Sequence, residues 1–517
     1  MRGSNSSEEL FINTVRTLTF VLLCAVATTA QATVEQKTAR YFETLRKSPP
    51  QQLEFLLQMP KGGDLHSHLS GSIYAESYIQ WAADNGLCVN NQTMALSVPA
   101  TKAACDAQSG QLPANAALTN SVLYRQMVDA WSMRNWQLSG QSGHDHFFDA
   151  FGKFGPATYN QTGRMIADVA SRAARGHVLY LELMLTPDGL MSSQIGQVAG
   201  WDGNTESTLN RLKSNGIADA ASTAVKALQD AETQKNQLLK CGTPQADPGC
   251  SVTIRYVAQV SRGGSLGAVF AQMVTGFTLA NDSNSKVVAL NLVQGEDSLA
   301  SMQNFSVQMK MLSSLRRLYP RAHLTLHAGE LAPGLVPPDG LTFHVRESVM
   351  TAGAERIGHG VDIMHEDRPY ELLLEMARRQ VMVEICLSSN DLILGISGSQ
   401  HPLATYLRYG VPVALATDDE GVSRSEISRE FLKAAQEQGL GYVQLKTMAR
   451  NSLQYAFIAG GSLWTDSRKF VPVTPCALDV ALRRLSTTGC RQYLGSSEKA
   501  QLQWQLEADF KAFERQR

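Results

Sequence analysis

The segment ERIGHGVDIMHEDRPYELLLEMARRQVMVEICLSS, residues 355–389, reads as strand, helix, strand. A short run (355–360) is followed by a helical pattern (366–380) and then by an apolar, strand-like run (381–389). Strands that alternate with helices argue for a parallel α/β fold. The same alternation continues on both sides. Downstream lie VPVALATDD (411–419) and the helical EISREFLKAAQEQG (426–439). Upstream lie HLTLHAGE (323–330), KVVALNLV (286–293), VTIRYVAQV (252–260), HVLYLELML (177–185) and GDLHSHL (63–69). Eight strands are what a (β/α)8 TIM-type barrel requires, with its site at the C-terminal ends of the strands. A doubly wound sheet is the alternative, but no Gly-rich phosphate fingerprint follows the first strand.

The 517 residues would make about three domains at ~150 residues each. Barrels run longer as one unit, so the expectation is one barrel over 33–517. It carries an insertion after the first strand (85–140, rich in Asn, Gln, Ser and Ala) and a C-terminal helical extension (461–517). Lys+Arg is 46 and Asp+Glu 47, a net charge of −1, with 44% hydrophobic residues. That balance excludes a disordered polyelectrolyte and a cationic nucleic-acid binder.

Residues 18–29 (LTFVLLCAVATT) follow Arg2 and Arg16 and precede Ala30-Gln31-Ala32. A short apolar core ending in A-x-A reads as a signal peptide, cleaved after Ala32. The expected location is therefore secreted or periplasmic, with no membrane contact after signal removal. Three local cysteine pairs, Cys88/Cys105, Cys241/Cys250 and Cys476/Cys490, lie in polar, loop-like sequence and suit disulfides in an oxidising compartment. Cys386 sits in an apolar run and reads as a buried free thiol.

The chemistry-bearing residues gather at predicted strand ends. His66 and His68 form H-x-H, and residues i and i+2 of a strand project to one face. His327 and Glu330 end LTLHAGE, His359 lies in RIGHGVDI, and Asp418 and Asp419 end VPVALATDD. Each singly has a structural explanation: a capping Asp, a hydrogen-bonded His, a solvated Glu. Together, at the expected rim, they point to a metal-dependent hydrolase. His66, His68, His327 and Asp418 would ligate zinc, which keeps one position for water. Glu330 would donate a proton, His359 would orient the water, and Asp419 would anchor the substrate.

The segments MPKGGDLHSHLSGS, LTLHAGE, RIGHGVDI, ICLSSND and LATDDEGVSRSE resemble the adenosine deaminase family in sequence and order over roughly residues 59–460. The MPKGG lead-in, signal and cysteine-bearing insertion are similar to its secreted, growth-factor-type members. The resemblance implies a (β/α)8 barrel with one Zn2+, converting adenosine, and 2′-deoxyadenosine, to inosine and ammonia. It implies His66, His68, His327 and Asp418 as ligands, Glu330 protonating N1, His359 positioning the water, Asp419 bonding N7 and the Gly295 backbone contacting N3. Where the family has an acidic residue near the ribose 5′ end, this chain has Ser70, which leaves room for a 5′-modified nucleoside. Glu182 and Trp131 are further candidates for sugar contacts, with a core position as the alternative for Trp131, and Phe147, Phe148 and Phe151 read as packing a helix, though one could wall the purine pocket.

Two rivals remain. A two-metal amidohydrolase would need a lysine at the end of the fourth strand, and Lys286 stands at its start. A non-catalytic extracellular binding protein would be expected to lack a ligand, and none is missing. Deaminases of polynucleotides carry H-x-E and P-C-x-x-C, which are absent here, and no basic or Gly-rich cluster offers a nucleotide phosphate site. The expected partner is a small purine nucleoside, with room for a homodimer.

Overall fold

A computed structural model describes residues 32–99 and 105–517. The predicted signal run lies outside the described residues. Eight parallel strands form one sheet in chain order. They are β1 (Gly62–His68), β2 (Val178–Leu185), β3 (Thr253–Ser261), β4 (Val287–Val293), β5 (His323–Ala328), β6 (Arg356–His359), β7 (Met382–Ile385) and β8 (Val413–Leu415). Between them run helices such as Leu266–Asn281, Leu299–Arg316, Pro369–Arg379 and Ile427–Glu437. This is a (β/α)8 barrel. Its strands are buried along nearly their whole length because helices cover one face and the barrel core the other.

The barrel closes just beyond β8. Asp418 bridges Ser67 of β1 in parallel. The Asp418 amide donates to the His66 carbonyl at 2.8 Å, and the His68 amide donates to the Asp418 carbonyl at 3.0 Å. Asp418 has φ +59°, a left-handed conformation that Asp tolerates better than most side chains. The closing hydrogen bonds therefore run through predicted metal-binding residues.

One strand is shorter than its apolar run suggests. The ladder of β7 ends at Ile385, opposite Leu415 of β8. Beyond it the chain turns at Cys386 into the helix Leu387–Leu394. Leu387, Ser388 and Ser389, read as strand in the sequence, are thus helical. Cys386 is buried and free.

Three disulfides join Cys88 to Cys105, Cys241 to Cys250 and Cys476 to Cys490. After β1, three short antiparallel strands (Cys88–Asn90, Leu96–Ser97, Gln111–Pro113) form a separate small sheet. The C-terminal segment has its own apolar cluster around Leu463, Trp464, Leu494 and the Cys476–Cys490 bridge. Its last helix, Glu498–Arg515, buries Leu506, Phe510 and Phe513 in the main core. Among the described residues no helix is long and apolar enough to cross a membrane.

Candidate active site

The pleat of β1 aims His66 and His68 at one point. Their Nε2 atoms lie 3.1 and 3.2 Å from Nε2 of His327, at the end of β5. The same two atoms lie 3.4 and 3.3 Å from Oδ1 of Asp418. Four-coordinate zinc with ligands at 2.0–2.1 Å spaces its donors by about 3.3 Å. The donor spacing fits such an ion. Asp418 Oδ1 is also buried with no hydrogen-bond partner among the described residues, as expected of an atom aimed at a cation.

The three rings are held from behind. His66 Nδ1 meets Glu384 Oε2 at 2.6 Å, His68 Nδ1 meets the Gln259 amide at 2.6 Å, and His327 Nδ1 meets Asn291 Oδ1 at 2.8 Å. Partners of this kind fix the ring and tautomer of a metal-binding histidine. Sequence reading missed all three. The available signal was a polar residue inside an otherwise apolar strand: Gln259 in VAQV, Asn291 in ALNLV, Glu384 in VMVEIC. Gly358 lies beneath His66, where a Cβ would come within 2.6 Å of the ring.

Burial keeps His68 neutral, lowering its pKa to about 4, and pushes His327 well below the usual range. Burial also works against charge on His66, but Asp418 and Glu384 outweigh it and raise it to about 10. Asp418 is held well below the ordinary carboxylate range: burial opposes its ionisation, but His66, His359 and His68 prevail. The neutral imidazoles of His68 and His327, facing an ionised carboxylate, favour a cation.

Three more predicted residues converge here. Glu330 lies two residues past β5, with Oε1 3.7 Å from His359 Nδ1. Burial, then the nearby charges of Asp418 and Glu296, raise its pKa to about 8. His359 ends β6 at φ +69°. Its Nδ1 faces Asn390 Nδ2 at 3.0 Å, and its buried Nε2 has no partner among the described residues. Asp419 Oδ1 is likewise buried and unpartnered. Burial, then Asp418, raises the pKa of Asp419 well above the usual range.

A cavity of about 350 Å³ opens over this cluster. Ser70, Gly295, Glu330, Asp418 and Asp419 line it with Gln259, Ile393 and the rings of Phe147, Phe148 and Phe151. No Arg or Lys is among the lining residues. A roomier cavity of about 430 Å³ is lined by His323, Glu355, Arg356, Phe457 and Lys499, among others, but by none of the predicted site residues.

Two expectations are corrected. Glu182 does not line the site cavity. It is fully buried within β2, where Arg356 meets it at 2.5 Å and the Tyr180 hydroxyl and Phe457 amide donate to it. A buried carboxylate needs such partners, and Arg356 continues to Glu384 at 2.6 Å. Trp131 is core: it is 1% exposed, and its indole N–H donates to the Met94 carbonyl at 2.8 Å. Lys286 pairs with Glu232 at 3.2 Å and takes no part in the cluster.

The adenosine deaminase family model matches residues 145–462, more than half of the chain. This chain belongs to the adenosine deaminase family. It is 39% identical over 153 residues to an adenosine deaminase of Yersinia pseudotuberculosis, covering 28% of this chain and 42% of the relative. It is 38% identical over 138 residues to one from Escherichia coli strain SE11, covering 26% and 38%. The chain thus matches less than half the length of these family members. The fold resembles an adenine deaminase from Arthrobacter aurescens (TM-score 0.50, 16% identity, covering 77% of this chain and 94% of that one). It also resembles an Arabidopsis N6-mAMP deaminase (TM-score 0.50, 18% identity, 78% and 96%). The match to the family begins after His66 and His68, so the family assignment and the geometry of the H-x-H pair are independent observations.

Proposed function

We propose that this protein hydrolytically deaminates adenosine, and 2′-deoxyadenosine, to inosine and ammonia. The observation that carries this is the convergence of His66, His68, His327 and Asp418 beside the cavity that Glu330 and Asp419 line, in a family member. The four ligands would hold one Zn2+, whose Lewis acidity brings the ionisation of water down to about pH 7. Glu330, protonated at neutral pH, gives its proton to ring N1 and makes C6 electrophilic. His359 orients the water that adds at C6 and takes its proton, which returns to the departing amine. Asp419 hydrogen-bonds N7, and the Gly295 backbone meets N3. The phenylalanines wall the flat base.

The lack of lining Arg or Lys favours a nucleoside over a nucleotide. Ser70 in the lining favours a second reading, a 5′-modified adenosine. The disulfides support secreted or periplasmic placement and suit a growth-factor-type member. The test is turnover of adenosine by purified mature protein, followed in the ultraviolet with and without a chelator, beside AMP and 5′-methylthioadenosine. Turnover lost on chelation is expected. No turnover by zinc-loaded folded protein would leave a binding protein on the same barrel. Glu330→Gln should abolish turnover and keep its zinc; loss of the metal would refute the acid role.

A further inference from the structure

Glu296 follows Gly295 just past the end of β4 and is 1% exposed. Its carboxylate reaches across to the turn after β5. Oε1 accepts from the Gly329 amide at 3.0 Å and Oε2 from the Glu330 amide at 2.9 Å. His344 Nδ1 meets Oε1 at 2.5 Å. Nearby, the buried Arg262 guanidinium donates to the Gln294 carbonyl at 2.9 and 3.0 Å and to the His327 carbonyl at 3.3 Å. The ends of β4 and β5 are therefore clasped twice, by an anion on amides and a cation on carbonyls.

The turn needs such a clasp. Gly329 has φ +75°, and a Cβ there would fall 2.3 Å from Asp362 Oδ1. Glycine supplies the conformation but leaves the turn loose in solution. Two short hydrogen bonds from successive amides to one carboxylate are charge-assisted and directional. They fix the peptide that carries the Glu330 side chain. Burial opposes the charge of Glu296, but His344 and Arg262 outweigh it and lower its pKa to about 2. The acceptor thus stays ionised across the working range.

We propose that Glu296 is a positioning residue, holding Glu330 at the reacting centre through the amides of Gly329 and Glu330. The proposal rests on Glu330 being the proton donor of the proposed reaction. Glu296 is not among the residues that line the site cavity. It acts through the backbone of its neighbour, and a misplacement of Glu330 by about 1 Å would cost about 100-fold in rate.

The test uses the zinc-loaded full chain and the variant Glu296→Gln. In glutamine one of the two carboxylate oxygens becomes an NH2 donor, so in this geometry one of the two amides would face a donor. Two readouts are taken. The first, hydrogen exchange at Gly329 and Glu330, is independent of activity; exchange should be about ten-fold or more faster in the variant. The second is adenosine kinetics. kcat should fall about 10- to 100-fold with KM within about two-fold. Unchanged exchange or unchanged kcat would each overturn the proposal. If wild-type protein does not turn over adenosine, the functional reading falls, and exchange alone decides the clasp. Should Glu296→Gln not fold, His344→Asn keeps the carboxylate without its imidazole partner. It should speed exchange at the same two amides and lower kcat by a smaller factor; no change in either would again refute the proposal.

Discussion

His66 is fully buried, with one nitrogen at the ligand cluster and the other 2.6 Å from Glu384. Glu384 is itself held by the Thr325 hydroxyl at 2.7 Å and by Arg356 at 2.6 Å. Burial opposes its charge, but Arg356 and His66 prevail, lowering its pKa to about 2. An ionised partner makes the ring a better donor to a metal. Removing such a partner costs about 10- to 100-fold in metal affinity. Glu384→Gln should therefore weaken zinc binding by that factor, read by competition with a chromophoric chelator. An unchanged affinity would make the contact incidental. Glu330 gives a second prediction at this scale. Its pKa is raised to about 8 by burial, Asp418 and Glu296, and the protonated form is the acid. kcat/KM should hold below that pH and fall as pH rises through about 8, on a single-proton limb. A flat profile to pH 9.5 would contradict the role.

At the scale of elements, each ligand is placed by how its strand ends. β1 supplies two histidines because its pleat repeats every second residue. β5 ends one residue after His327, so the following turn can swing Glu330 over the same point. Asp418 lies beyond β8 and is held by its backbone bonds to β1. The C-terminal segment is a different kind of element. Its small apolar cluster is built on the Cys476–Cys490 bridge, which closes a loop with a sequence separation of 14. Closing a loop of that size stabilises by about 3 kcal/mol in the chain-entropy account. Replacing both cysteines by serine should lower the thermal midpoint by several degrees and leave adenosine turnover at 25 °C within two-fold. A large loss of activity at low temperature would tie this segment to the site.

For the molecule as a whole, residues proposed to bind the ion are also residues that close the barrel. β1 and β8 are neighbours around the barrel, and the seam between them runs through His66, His68 and Asp418. An ion held by these residues and by His327 of β5 ties three parts of the barrel together. A ligand that binds only the folded state stabilises it by about 4 kcal/mol at 1,000 times its dissociation constant. Chelation should lower the melting temperature by several degrees, and added zinc should restore it. An unchanged midpoint would mean that closure owes nothing to the ion.

Much of this was legible in the chain. The strand–helix alternation named the barrel, because parallel strands buried on both faces must be apolar and must be joined by crossovers. The H-x-H spacing named a shared face, because the pleat has a period of two. The three cysteine pairs were readable because each closes a short loop. What the chain alone left undecided depends on distances between residues far apart in sequence. Glu182 looked like a rim carboxylate until Arg356, 174 residues away, claimed it in the barrel interior. Trp131, readable from the chain as core or as a sugar contact, is core, with its indole on the Met94 carbonyl. Glu384, Gln259 and Asn291 are single polar residues in apolar runs, and Glu296 lies in the polar stretch QGED. Only the tertiary structure shows that each meets a histidine ring or a turn, because a buried polar group must find its partner wherever the fold brings one.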